Sequence, residues 1–198
     1  MTDLVQEIAE LKRQVHILTE REKIREVLQR YARGLDRHDL ELEQSAFWPN
    51  AEISYGTLSE RRDAFIRWGN ETHALYTARH EHHLTTQTID LDLDGEVAHV
   101  ESYVIYLLRE KDEKNTMVGG ARYIDKLERR HGEWRIALRE FLPDILFRAN
   151  SIFAGEFALT RCPPSGEGRW DRSDLSYQRP LAPRAKGAHV EPEGTPQT

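Results

Sequence analysis

The stretch His82-His-Leu-Thr-Thr-Gln-Thr-Ile-Asp-Leu-Asp-Leu-Asp-Gly-Glu-Val97 is where the chain changes period. Ile89, Leu91 and Leu93 alternate with Asp90, Asp92 and Asp94, which predicts a half-buried strand with one wet, acidic face. Asp94-Gly95 is a hairpin signal, since both residues tolerate the backbone of a tight turn, and Val97 to Leu108 returns as a long strand. A second pair, Gly119 to Glu128 and Glu133 to Phe141, is joined at Arg130-His131-Gly132. Gly119-Gly120 lacks the flanking pattern of a phosphate loop and marks a bulge or a close approach within a strand.

Upstream, the period is helical. Leu4, Ile8, Leu11, Val15 and Leu18 alternate spacings of four and three, a seam of little more than two heptads. Such a helix is expected to lie against its own domain or a sister subunit. The phase then shifts, and Ile24, Val27, Leu28, Tyr31 and Leu35 form a stripe that faces a core. Thr19 and Glu22 have capping-box spacing, which suggests that the helix restarts there. Gly34 predicts a left-handed stop, leaving Asp36, Arg37, His38 and Asp39 at or just beyond the helix end. A short helix from Leu40 to Phe47 is broken at Trp48-Pro49-Asn50. Glu52 to Tyr55 reads as a strand, Ser59 to Trp68 as a helix, and residues 70–80 as helix followed by loop.

Helices first and then antiparallel strands define an α+β class. The organisation expected is a helical extension at 1–18, one domain at 19–148 and a C-terminal arm at 149–198. Six of the eight prolines lie in that arm, between residues 163 and 196, so 163–198 reads as extended and finally disordered, while 149–160 is suited to a helix or lid.

At 198 residues the length suits one domain plus a tail. The net charge of −6 speaks against a general nucleic-acid binder, which needs a basic face for phosphates. No apolar run of about 18 residues predicts a membrane span. The first residues lack the basic-then-apolar layout of a signal peptide, and the single cysteine, Cys162, has no internal disulfide partner. A reduced, cytoplasmic location is expected.

Strand parity groups His83 with Thr85, Gln87, Ile89 and Leu91, hence inward, and His82 with the acidic set, hence outward. An inward histidine is either a hydrogen-bonded core residue or a general base with a pKa of about 6.5 suited to neutral pH. Asp36 either bonds local backbone or holds a histidine in one tautomer. Arg139 shares parity with Arg135, Ala137 and Phe141, opposite Trp134, Ile136 and Leu138. That leaves open a surface position or a pocket position from which it would stabilise an anion. His80, His82 and His83 invite a metal reading. Adjacent strand residues point apart, however, and no cysteine ligand or helical HExxH spacing supports one, so no metal is expected.

The order of elements resembles the SnoaL-like branch of the nuclear-transport-factor-2-like cone fold. The phrases that carry the likeness are Tyr31-x4-Asp36-Arg37-x-Asp39, the His82-His83 strand start, Asp94-Gly-Glu-Val-Ala98, Gly120-Ala-Arg-Tyr-x-Asp125 and Gly132-Glu-Trp-Arg-Ile136. The branch includes scytalone dehydratase, bile-acid 7α-dehydratase and hexachlorocyclohexane dehydrochlorinase. The resemblance implies an α+β cone whose apolar cavity holds a His–Asp pair. The catalytic positions fall on His83, Asp36, Tyr31 and Arg139, and substrate contacts on His82, Gln87, Tyr103 and Trp48. It departs from the pattern at Gln87, where the dehydrochlorinase type has asparagine, and at Pro143-Asp-Ile-Leu146, where a tryptophan is usual.

The function implied is a cofactor-independent lyase acting on an apolar, ring-bearing small molecule. His83 would take a proton from carbon, and Tyr31 or Arg139 would stabilise the leaving oxygen or an enolate. Dehydration leads; formaldehyde-releasing cleavage of a lignin-derived aromatic diol and isomerisation use the same parts. A binding module or an oxygenase-associated subunit is the non-catalytic alternative. A homo-oligomer, trimer or dimer, is implied, with the arm covering a neighbour's cavity.

Overall fold

The computed structural model describes residues 2–150, apart from 93, 95 and 113, and residues 169–181. Leu93 and Gly95 of the expected hairpin, residues 151–160 of the expected helix or lid, and residues 151–168 and 182–198 of the arm lie outside the described residues; residues 149 and 150, expected to open the arm, instead end the last strand. The elements in order are α1 (Thr2–Asp36), α2 (Leu40–Ser45), β1 (Phe47–Tyr55), β2 (Leu58–Arg61), α3 (Arg62–Tyr76), β3 (Thr77–Leu91), β4 (Val97–Glu110), β5 (Asn115–Arg130) and β6 (Glu133–Asn150). The helices pack on one face of a curved, open six-stranded sheet ordered β2-β1-β6-β5-β4-β3, an α+β cone. Every neighbouring pair is antiparallel except β1 and β6.

α1 is one continuous helix. Thr19 Oγ1 donates to the carbonyl of Val15 at 2.8 Å instead of capping a new start, so the expected restart does not occur. The phase shift has a different meaning: Leu4, Ile8, Leu11, Val15 and Leu18 are exposed, whereas Ile24, Val27, Leu28, Tyr31 and Leu35 are buried in the core. Glu20 marks where the helix meets the sheet, since its carboxylate accepts from Trp134 Nε1 at 2.6 Å.

The helix end also differs from expectation. Gly34 remains helical, and the left-handed residue is His38, with φ of 47°. The Asp39 amide donates to the Gly34 carbonyl at 2.9 Å, which closes the turn. Asp39 then caps α2 by accepting from the Leu42 amide at 3.1 Å. Gly34 is needed for proximity instead: a Cβ there would stand 2.5 Å from the Glu43 nitrogen. The missing side chain lets α2 lie directly against the end of α1.

Two β-bulges decide which side chains face the helices. Leu84 pairs with Val104 and Gln87 with Ser102, so β3 has one residue more than β4 between these points. An extra residue reverses the in–out alternation. His80, His82 and Leu84 therefore face inward before the bulge, and Ile89 and Leu91 after it, while His83 is exposed. In β6, Ile136 pairs with Leu127 but Leu138 with Lys126, so Ala137 is the extra residue. Trp134, Ile136, Arg139 and Phe141 consequently share the inner side. The close approach foreseen at the paired glycines is real, because a Cβ on Gly119 would meet the Tyr106 ring at 1.9 Å.

Candidate active site

The cavity lies between α1, α2 and α3 and the inner sheet face. Its walls are mainly aromatic and aliphatic: Tyr31 and Leu35 from α1, Tyr55, Phe65 and Trp68, then Tyr106, Leu108, Tyr123 and Phe141 from the sheet. Tyr55 and Phe141 stack at 4.4 Å with an interplanar angle of 8°. The volume is about 160 Å³, similar to an engineered apolar void of about 150 Å³ that accepts benzene. The polar groups in the lining are few: Glu43, Thr72, His73, His82 and the tyrosine hydroxyls. An apolar hollow with a few convergent polar groups is the usual form of a small-molecule site.

His82 enters this cavity from the start of β3. Its Nδ1 lies 2.7 Å from Asp36 Oδ1, and its own backbone amide donates to Asp36 Oδ2 at 2.9 Å. Two bonds from one residue fix both carboxylate oxygens. With Nδ1 donating to the carboxylate, a neutral imidazole carries its lone pair on Nε2. Asp36 itself stands behind the ring, in an outer groove shared with Arg33, Arg37 and His83. The expected partners are thus exchanged. His82, not His83, meets Asp36, and His83 instead contacts Glu81 at 3.2 Å on the surface. The bulge between Leu84 and Gln87 is the cause.

Two further histidines surround the pair. His80 Nε2 donates to the Leu35 carbonyl at 3.0 Å, and its ring lies 4.2 Å from that of His73. Burial pushes both imidazoles down to about 3, and neighbouring imidazoles add to the effect. Both are neutral at physiological pH. Trp170 covers this cluster, 4.5 Å from the His38 ring and 5.0 Å from His80. Its segment is anchored by Tyr177, whose hydroxyl donates to Asp39 Oδ2 at 2.8 Å, and by Arg33, which donates to the Ser176 carbonyl. Residues 169–181 therefore dock on the α1–α2 end of the same chain.

The floor holds three tyrosines. Tyr31 and Tyr55 hydroxyls are 3.2 Å apart, and Tyr31 and Tyr123 rings meet edge-on at 5.7 Å. Burial raises the pKa of all three, so they are hydrogen-bond donors and not phenolates at neutral pH. Arg139 lies beneath them, fully buried. Its guanidinium is 4.1 Å from the centroids of both Tyr31 and Tyr123, and it donates to Asp125 through Nε and Nη2, each at 2.7 Å. It is absent from the cavity lining. Its positive charge partly opposes the upward push of burial on the tyrosine hydroxyls.

Glu43 is the charged-type residue that sequence reasoning missed. It is 1% exposed, lines the cavity, and accepts from Asn70 Nδ2 at 2.8 Å. Burial pushes its carboxyl up to about 8, against the opposing effects of Asn70 and Arg139. Its place in Leu40-Glu-Leu-Glu43 resembles any solvated helix face, and no local signal separates it from Glu41. His73, Tyr55, Tyr106 and Phe141 were also missed as wall residues. Three expected substrate contacts lie elsewhere. Trp48 packs outside the cavity, donating to the Glu128 carbonyl and stacking under Arg130. Tyr103 is exposed on the outer sheet face, and Gln87 sits opposite Ser102 beyond the bulge.

A carboxylate-oriented imidazole thus faces an apolar, aromatic cavity within an α+β cone. The chain belongs to the SnoaL-like family: the SnoaL-like domain matches residues 16–140. Its fold is similar to a provisional scytalone dehydratase from Novosphingobium aromaticivorans, with 22% identity, 66% of this chain and 87% of that one covered, and a TM-score of 0.60. Hexachlorocyclohexane dehydrochlorinase LinA type 3 from Novosphingobium barchaimii is similar at 16% identity, 69% and 94% coverage and a TM-score of 0.62. A provisional aromatic ring hydroxylase from Novosphingobium aromaticivorans is similar at 19% identity, 69% and 96% coverage and a TM-score of 0.59. These likenesses establish the fold. No curated protein sequence matches the chain. No described helix is long and apolar enough to cross a membrane.

Proposed function

We propose that the protein is a cofactor-independent lyase that removes a proton from carbon in an apolar, ring-bearing small molecule. The observation that supports this reading is the 2.7 Å contact between His82 Nδ1 and Asp36 Oδ1, with the same ring lining the cavity. Nε2 is the base. Asp36 holds the tautomer and stabilises the imidazolium that forms, the role an aspartate has in the hydrolase triads. Tyr31 and Tyr55 donate to oxygen that becomes negative as the carbon–hydrogen bond breaks. Arg139 contributes from behind the tyrosine floor and not by contact.

Dehydration is the reaction this arrangement suits first, because water is an acceptable leaving group once its oxygen is hydrogen-bonded. Formaldehyde release from an aromatic diol and isomerisation share the base and the donors, and the mass of the product separates the three. The scytalone dehydratase and dehydrochlorinase likenesses favour elimination. Exposed Ile105, Ile145, Leu146 and Phe147 on and beside the outer sheet support association into a homo-oligomer, which sedimentation would measure.

The test is turnover of ring-bearing β-hydroxy ketones and aryl diols, followed by mass spectrometry. His82→Ala is expected to reduce the rate by about 10²–10⁴-fold, the usual contribution of a positioned base. His83→Ala is expected to stay within about twofold of wild type, as for a surface change without contact to the chemistry. Equal rates for wild type and His82→Ala would overturn the reading.

A further inference from the structure

Glu43 has no part in the proton abstraction described above, yet it is buried in the same cavity. Its Oε2 accepts from Asn70 Nδ2, while Oε1 has no hydrogen-bond partner among the described residues. Asn70 cannot serve it further, because its amide also donates to the Ile66 carbonyl at 2.9 Å. A buried polar atom without a partner costs about 1–3 kcal/mol, so a ligand atom that satisfies Oε1 gains by doing so. The surrounding wall is aromatic and aliphatic. The titratable and charged groups about the cavity are Tyr31 and Asp36 on α1, Tyr55 on β1, His73 on α3, His82 on β3, Tyr106 on β4, Tyr123 on β5 and Arg139 on β6.

We propose that Glu43 forms a second subsite, in which its carboxyl donates a hydrogen bond, and during turnover a proton, to an uncharged oxygen of the bound ring compound. The catalytic part of this inference rests on the lyase reading; the binding part does not. An acid in an apolar wall is the same device as a carboxylic acid kept neutral so that it donates. Burial supports this state, pushing the carboxyl up to about 8. Below that value Glu43 is a donor, and above it the anion repels an oxygen lone pair. The ligand class follows: neutral ketones, alcohols or phenols fit, and carboxylates do not, because two anions would share one low-dielectric space.

The proton balance of a dehydration is then complete. His82 Nε2 takes the proton from carbon, the carbon–oxygen bond breaks as the double bond forms, and the Glu43 proton converts the departing hydroxide to water. His82 leaves as imidazolium and Glu43 as carboxylate, and one net proton transfer from the first to the second resets the site.

Acetophenone, a neutral aryl ketone, is the probe, with infrared spectroscopy of the full chain as the readout. At pH 6.5 the wild type is expected to show a protonated-carboxyl band that is absent from Glu43→Gln and titrates near pH 8. Bound acetophenone should show its carbonyl stretch moved to lower frequency in wild type, less so in Glu43→Met. Its affinity should fall about tenfold in Glu43→Met, and about as much in wild type between pH 6.5 and 9.5, a loss typical of one buried hydrogen bond. Circular dichroism verifies that both variants fold. His82→Ala should retain the carbonyl shift, so a failed base and a failed subsite give different results. Absence of the carboxyl band at pH 6.5, or a carbonyl stretch identical in wild type and Glu43→Met, overturns the subsite, including the case in which the ketone does not bind.

Discussion

Asp36 and Glu43 lie at the two ends of one turn, on helices held together by the bare backbone of Gly34, and they have opposite surroundings. Asp36 is met by the His82 ring and the His82 backbone amide, which together satisfy both of its oxygens. Glu43 is met by one amide donor and otherwise by apolar wall, with one oxygen left without a partner among the described residues. The first environment suits an anion that orients a base. The second suits a neutral acid. Two carboxyl groups of similar chemistry are thus assigned different work by their neighbours alone.

The largest expected effect removes the orienting anion. Asp36→Asn keeps the size but offers an amide in place of the carboxylate, so His82 loses its fixed tautomer and the charge that stabilises its protonated form. Turnover at neutral pH is expected to fall by about 10²–10⁴-fold, the range for such dyads. A loss below about threefold would mean that Asp36 only braces the strand.

A third carboxylate, Asp125, sharpens the contrast, because it is fully buried and yet fully matched by Arg139. Arg139→Met leaves Asp125 buried without its partner and removes the cation between Tyr31 and Tyr123. Breaking a buried pair from one side typically costs about 3–5 kcal/mol, here measured by urea unfolding. A cost near zero would show that Asp125 finds another donor.

The next effect is read from stability against pH. Glu43 titrates at about 8 when folded and at 4.5 in its reference state. Below about 4.5 both folded and unfolded chains hold the proton. Above it the unfolded chain releases a proton that the folded chain retains, so this group's contribution to stability falls as pH rises toward 8, and levels off beyond. At about 1.36 kcal/mol per unit the fall has an upper bound of about 4–5 kcal/mol. Glu43→Gln lacks the effect, so the wild-type-minus-variant stability difference should decline between pH 5 and 8. The neutral histidines His73 and His80 act in the opposite sense below pH 6.5, but they are common to both proteins and cancel. A flat difference would place the Glu43 proton elsewhere.

The sequence disclosed these groups unevenly, for physical reasons. The stripe Ile24, Val27, Leu28, Tyr31 and Leu35 and the alternation at Ile89 and Leu91 follow directly from period, so the α+β order was legible. The choice between His82 and His83 was not, because the extra residue between Leu84 and Gln87 sits in Thr85-Thr86, two ordinary strand residues with no glycine to mark the bulge. The same holds for Ala137, which turns Arg139 inward. Parity is reliable only within an unbroken ladder: the first bulge inverted the choice of histidine, and the second settled a position for Arg139 that parity had left open. Glu43 was hidden differently: its burial depends on α3 closing over α2, a tertiary fact without a local trace.

Gly34 gives the smallest effect and the most direct probe of how the two carboxyls are kept apart. A Cβ at this position would approach the Glu43 nitrogen to 2.5 Å, its Cα to 2.7 Å and its Cβ to 2.8 Å. Two of these atoms are backbone, so no rotamer change relieves the contact and α2 must move. Because Gly34 is helical, alanine would otherwise favour the fold by about 1 kcal/mol through helix propensity. Crowding in a packed interior typically costs about 1–3 kcal/mol, so Gly34→Ala should be a net loss of up to about 2 kcal/mol. The displacement acts on Glu43 and leaves the His82–Asp36 contact to α1 and β3. Ketone affinity should therefore weaken with the shift of α2, whereas the His82-dependent part of turnover should change less. If both fall together, the end of α1 moves with α2 and the two carboxyls behave as one unit.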